Sequence, residues 1–351
     1  MGCFMDIRKL NTLRAIAASI VLITHFSDVT GWLDGALGGR AGQYGVMLFF
    51  LLSGFLMSHL YFDKKANKEN IKRYVISRTA RVVPLYVLVV ACSYSMYYFG
   101  HTGLYEITEV QSLIAHLLFI YGESVLWTIA PEIQFYVIFI GLWKIASWRS
   151  GYIYVIVTVV LIVLFFSNFP RIHGDFDGIP YNFFHIVRSL PYFLVGVLIG
   201  MHYKSANVPP YLRKNIFIAP LLLIPLMYPH FSPITSDAKM RMWLSYEVLL
   251  VMAAVFISVI YLVPDDNRLL ANRVGDFLGR ISYSLYLLHM PIIQFISTFD
   301  MPIVLKLILF LSSSVCVAYL SFRWIEKPTA RLIRSVFDDK QRMQKLRVNC
   351  Q

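Results

Sequence analysis

Residues 10–30 read LNTLRAIAASIVLITHFSDVT. A helix needs roughly 20 apolar residues to cross a bilayer, and this run supplies them, with Arg14 its one formal charge before Asp28. Arg14 and His25 are the two residues in it that lipid cannot satisfy. They lie eleven positions apart, almost three full turns, so one helix face carries both, about 16 Å apart along the axis. An ionisable side chain within a span faces a protein interior or a wet cavity. Each residue alone has a plainer explanation: Arg14 can snorkel to headgroups near the cytoplasmic end, and His25 can be an interhelical hydrogen-bonding histidine. Both on one face favours a shared cavity.

The rest of the chain follows the same pattern. Of 351 residues, 58% are hydrophobic and 15% charged, against about 25% charged in an average soluble domain. Mean hydropathy is +0.62. That excludes disorder, and one soluble globule could not hide so much apolar surface. Apolar runs at 10–30, 44–62, 82–99, 124–146, 152–169, 183–203, 215–229, 244–263, 277–298 and 303–322 predict an all-α, polytopic membrane protein of about ten helices. The run 215–229 holds Pro220 and Pro225 and is expected to kink or tilt. A further run, Leu113–Tyr121, is too short to span and is expected to be re-entrant or interfacial. The expected organisation is one membrane domain over 1–335 and a basic cytoplasmic tail over 336–351, with no room for a separate soluble domain.

In a soluble protein the net charge of +12 would suggest nucleic acid. Here position decides. With the N-terminus inside, 25 of the 32 Lys and Arg residues fall on cytoplasmic segments, so the positive-inside rule predicts both termini in the cytoplasm and no nucleic-acid partner. Cys3, Cys92, Cys316 and Cys350 show no paired spacing. They read as packing residues or tail thiols, not as disulfides or metal ligands, and no metal is expected. No cleavable signal is seen, because the first run passes His25 without a small-residue cleavage site. Asp6 stands where a myristoylation signal after Gly2-Cys3 wants Ser or Thr, and Met5 is an alternative start.

Three more constellations carry polar groups into apolar runs. Glu132, within Trp127-Thr128-Ile129-Ala130-Pro131-Glu132, is expected at a depth similar to that of His25, where a carboxylate could orient the imidazole and fix its tautomer. The alternative pairs Glu132 with an intramembrane arginine such as Arg188. Arg78 and Arg81, three apart at the junction of a basic loop and a helix, suit a phosphate, although from spacing alone positive-inside anchoring accounts for them better. His289 falls in the middle of Ile281-Ser282-Tyr283-Ser284-Leu285-Tyr286-Leu287-Leu288-His289, either as a satisfied buried histidine or at a cavity wall. Gly45 and Ser53-Gly54 permit close backbone approach.

Taken together, these residues resemble acyltransferase family 3, the integral membrane acyltransferases that include O-antigen and exopolysaccharide O-acetyltransferases. The spacing from Arg14 to His25 fits the family's arginine-to-histidine pattern. Phe49-Phe50-Leu51-Leu52-Ser53-Gly54-Phe55 is similar to its Phe-Phe…Ser-Gly-Phe signature. Arg78-Thr79-Ala80-Arg81 through Pro84-Leu85-Tyr86 resembles its Arg-x-x-Arg element, and Trp127-Thr128 through Glu132 and Phe135-Tyr136 its Trp-Ser…Glu…Phe-Tyr motif. Ile281 through His289 and Glu326-Lys327-Pro328 resemble its C-terminal elements. Met47, Thr128, Pro131 and Ile133 depart from the common pattern, and Thr128 keeps the hydroxyl of the usual serine.

The resemblance implies transfer of an acyl group from acyl-CoA, with acetyl-CoA as co-substrate. The acceptor would be a hydroxyl of a glycan or lipid-linked saccharide, such as lipopolysaccharide O-antigen, at the outer side of a bacterial inner membrane. Arg78 and Arg81 would hold a CoA phosphate and Arg14 would line the path. His25 would act as general base or carry the acyl group itself, and Glu132 would orient it. Ser53, Thr128, Tyr283 and His289 are expected to line the cavity. The competing class is a polysaccharide-pathway transporter or flippase, which the lack of internal repeats disfavours.

Overall fold

The computed structural model describes residues 8–169, 174–176, 179–181, 185–232 and 242–348, with side chains given between 8 and 337 outside the hairpin 174–181. Cys3, Cys350, Arg171, Lys239, Arg241 and the alternative start at Met5 lie outside the described residues. Among the described residues the regular structure is helical apart from two paired antiparallel strands, β1 (Gly174–Phe176) and β2 (Ile179–Tyr181).

Each of the ten apolar runs supplies a helix among the described residues. The elements are α1 (Arg8–Thr30), α2 (Gly42–Tyr61), α3 (Lys68–Tyr98), α4 (Val110–Leu117), α5 (Ile129–Ala146) and α6 (Gly151–Phe165). They continue with α7 (His185–His202), α8 (Asn215–Leu226), α9 (Tyr246–Leu262), α10 (Arg273–Ser297), α11 (Ile303–Ser321) and α12 (Lys327–Val348). Seven helical stretches among the described residues are long and apolar enough to cross a membrane: those containing α1, α2, α3, α5, α6, α7 and α11. Helices α8 and α9 are shorter. At 25 residues α10 has the length, but its polar residues, Arg273, Asp276, Arg280 and His289, dilute its hydropathy. The integral-membrane reading also accounts for the outward faces of α6 and α11, where Ile153, Val157, Leu161, Val304 and Ile308 are exposed; water would not tolerate such a belt. The run at 113–121 supplies α4, which is eight residues long, too short to span.

Close backbone approach organises the core, as expected where lipid removes the hydrophobic drive between helices and contact is left to small residues. Helices α2 and α7 cross so tightly that a Cβ on Gly54 would lie 1.9 Å from the Phe193 carbonyl oxygen, and one on Gly196 would lie 2.2 Å from that of Leu51. Helix α10 lies on α1 in the same manner, with Gly279 over the Asn11 backbone. Polar side chains lock this second pair: Thr12 donates to the Leu270 carbonyl, and Asn11 donates to Asp276 at 2.7 Å. Thus α1 has α2 on one side and α10 on the other. Three helix starts are capped by Asn or Ser side chains: Asn67 accepts from the Asn70 amide, Asn272 from Gly275 and Ser245 from Val248. A π-turn at Phe322–Glu326 joins α11 to α12 and buries Glu326, which accepts a hydrogen bond from Ser284.

Candidate functional site

Two cavities open on the face of α1 that carries Arg14 and His25. The first, a chamber of about 60 Å³, is lined by Arg14, Ser53, Arg81, Thr128, Glu132 and Tyr283, with Phe49 and Phe50 among its apolar walls. That volume admits a few waters or the end of a chain. The second, a pocket of about 220 Å³, is lined by Thr24, His25, Asp28, Arg40, Gln43 and Trp127. Val46 and Tyr286 line both. The chamber lies toward the Arg8 end of α1 and the pocket toward the Thr30 end.

Hydrogen bonds hold most of the chamber's polar side chains in place. Arg14 donates to Asn11 one turn earlier at 3.1 Å, and Asn11 is itself tied to Asp276 on α10. Glu132, in the first turn of α5, accepts from Ser53 Oγ at 3.1 Å and from the Tyr136 hydroxyl at 2.7 Å, so a carboxylate links α2 to α5. Tyr283 donates to the Val82 carbonyl at 2.7 Å, tying α10 to α3 beside Arg81. Thr128 donates to the Val125 carbonyl at 3.2 Å. The charges nearest Arg14 are Arg81, Arg78 and Glu132, so the chamber is a cationic site with one carboxylate, suited to an anionic ligand.

The arginine pair divides. Arg81 faces the chamber. Arg78 is buried behind it, 7% exposed, with its guanidinium 5.9 Å from the Tyr61 ring centroid. Residues three apart on a helix differ by about 60° around the axis, enough to turn one guanidinium inward and the other onto an aromatic ring.

His25 is half-buried at the pocket wall, and its ring centroid lies 5.2 Å from that of His289. His289 is fully buried and donates from Nδ1 to the Tyr286 carbonyl at 2.7 Å; its Nε2 has no hydrogen-bond partner. Tyr286 in turn packs edge-on against Phe49 at 6.0 Å. A line of rings, His25, His289, Tyr286 and Phe49, therefore runs from the pocket to the chamber.

Of the nine residues picked from sequence, Arg14, Ser53, Arg81, Thr128, Glu132 and Tyr283 meet in the chamber. His25 opens into the pocket, His289 stands behind it, and Arg78 behind the chamber. Glu132 directs its hydrogen bonds to Ser53 and Tyr136, and the carboxylate lining the pocket with His25 is Asp28. Asp28 follows His25 by three residues on one helix face, a signal the sequence carried. Tyr136, four residues after Glu132, was legible in the same way. Arg40 and Gln43 reach the pocket through the fold of the 31–41 loop, which spacing does not announce. Among the described residues no group of three or more His, Cys, Asp or Glu could hold a metal ion, and Cys92 and Cys316 are free.

Residues 7–323 match the family profile described as "Acyltransferase domain". A Staphylococcus aureus (strain COL) protein provisionally named as an O-acetyltransferase is 26% identical over 357 residues, covering 91% of this chain and 56% of its own length. The O-acetyltransferase OatA of Staphylococcus aureus (strain NCTC 8325) is 22% identical over 369 residues, covering the same 91% and 56%. A provisionally named acetyltransferase of Acidianus two-tailed virus is 27% identical over 264 residues, 72% of this chain and 73% of its own. The chain thus spans little more than half the length of the staphylococcal relatives. No solved structure matches it.

Proposed function

The chain belongs to the acyltransferase-domain family, and from that premise we propose that it is a membrane O-acetyltransferase. In this reading it moves an acetyl group from cytoplasmic acetyl-CoA to a hydroxyl of a surface glycan on the far side of a bacterial inner membrane. The observation that carries the reading is the pair of cavities on the Arg14–His25 face of α1, back to back across Val46 and Tyr286. The donor enters from the basic, cytoplasmic side, with both termini inside. Arg14 and Arg81 attract its phosphates, with Arg78 adding charge from behind. The chamber is too narrow for the nucleotide, so the thioester end alone reaches the wall.

At the wall the transfer needs a base for the acceptor hydroxyl. His25 takes that proton as the oxygen attacks the thioester carbonyl, the carbon–sulfur bond breaks, and the proton passes to the departing thiolate. In the covalent variant the imidazole attacks first and hands the acetyl group to the acceptor in a second step. Glu132, bridging Ser53 and Tyr136, keeps the donor chamber in shape and balances its two arginines.

Turnover of acetyl-CoA by the purified protein tests this. His25→Ala is expected to accumulate in the membrane and bind CoA while losing transfer; near-normal transfer removes His25 from the chemistry. Arg81→Ala is expected to weaken CoA binding at least tenfold, and unchanged affinity refutes the donor path.

A further inference from the structure

The pocket beside His25 is built at its other end by the start of α2. Gly42 and Gln43, the first two residues of that 20-residue helix, line it. The helix dipole places partial positive charge there, while the Gln43 and Tyr44 N–H groups are already taken by the Arg40 and Ala41 carbonyls. Arg40 lines the same end. Its backbone sits in the left-handed region at φ 76°, a conformation that costs an arginine energy, and among the described residues its guanidinium has no ion-pair partner.

Two side chains point independently to a polar ligand. Thr24 is 2% exposed and lines the pocket, yet its hydroxyl has no hydrogen-bond partner. Gln43 accepts a hydrogen bond from the Trp243 indole N–H. Because an indole can only donate, the amide oxygen must face Trp243, which leaves the Gln43 NH2 group as donor. Asp28 is the carboxylate among the lining residues, and its Oδ1 is taken up by the Gly39 amide at 2.7 Å.

We propose that this pocket is the acceptor subsite and that it selects an acceptor bearing an oxyanion, a carboxylate or a phosphate, beside the hydroxyl presented to His25. Arg40 and the Gln43 side-chain amide hold the anion beside the positive end of the α2 dipole, and Thr24 bonds a neighbouring hydroxyl. The assignment rests on the acetyltransferase reading for the role of His25 alone; the anion site stands on its own donors.

The test is a binding titration that needs no turnover, following the fluorescence of Trp127 in the pocket wall. The probes are methyl glucoside, methyl glucuronide and methyl glucoside 6-phosphate. At least one charged probe is expected to bind ten or more times tighter than the neutral one, and which one separates carboxylate from phosphate. Arg40→Gln is expected to erase that preference and Arg40→Lys to keep part of it, with CoA affinity unchanged in both. Equal binding of all three probes overturns the proposal, as does a preference that survives Arg40→Gln. Tighter binding of methyl glucosaminide than of either anion also overturns it, by making Asp28 the selecting charge. If His25→Ala keeps full transfer while the charged preference stands, the catalytic reading fails and the anion site does not.

Discussion

Gly54 is where the smallest change should have the largest structural effect. A Cβ there would stand 1.9 Å from the Phe193 carbonyl oxygen, 2.9 Å from its carbon and 3.0 Å from the Val197 nitrogen. All three are backbone atoms, so no rotamer change relieves the contact. Restoring an ordinary separation requires α2 and α7 to part by about 1–1.5 Å, and overpacking of this kind costs roughly 1–3 kcal/mol. Alanine recovers up to about 1 kcal/mol through its better helix propensity, leaving Gly54→Ala about 1–2 kcal/mol less stable. At roughly 2–4 °C per kcal/mol for a large domain, thermal unfolding in detergent should drop by several degrees. Gly141→Ala on α5, where a Cβ meets nothing within 4 Å, should match or exceed wild type. The neighbour of Gly54 is Ser53, so the same displacement should lengthen the hydrogen bond to Glu132 and weaken CoA binding. Wild-type melting of Gly54→Ala would refute the tight crossing of α2 on α7.

Further predictions follow from individual hydrogen bonds. Tyr136→Phe removes the 2.7 Å donor to Glu132 and should cost about 1–2 kcal/mol; denaturant unfolding should show it, and transfer should fall together with donor affinity. His116, fully buried outside the spans, donates from Nδ1 to the Ser112 carbonyl and accepts at Nε2 from the Glu123 amide. Burial lowers its pKa below 6.5, against smaller opposing effects of the Ser112 carbonyl and the Glu123 charge. The folded state then resists a proton that the unfolded chain accepts. The stability His116 contributes is complete above pH 6.5 and is lost as pH falls toward its folded pKa, at up to about 1.4 kcal/mol per pH unit. Melting scans from pH 7.5 to 5.5 should steepen accordingly, and His116→Gln should flatten them.

Much of this was legible in the sequence, because helical periodicity is a local property. A separation of eleven positions between Arg14 and His25 fixes a common face whatever surrounds them, and each of the ten apolar runs supplied a helix among the described residues. The partition of that face into two cavities was not legible. It depends on α2 supplying Val46 and α10 supplying Tyr286 at one level, and nothing in either segment's own spacing says that they meet. The same limit explains Glu132: depth was inferable, rotation was not, and the first turn of α5 faces Ser53 on α2. Nor did the run at 277–298 show that its helix starts at Arg273 and sends Asp276 to Asn11 on α1.

The wall made by Val46 and Tyr286 has a consequence for the cell that hosts the protein. In the proposed reading the two cavities approach each other from opposite sides of the membrane and come close to forming a channel, and a continuous file of water would conduct protons. An apolar side chain and a ring whose hydroxyl is fastened to the Val125 carbonyl at 3.0 Å interrupt that file. If the acetyl group is handed across this wall as proposed, the same barrier is also the insulation that keeps the membrane energised, and such a catalyst has to pass its cargo without ever standing open.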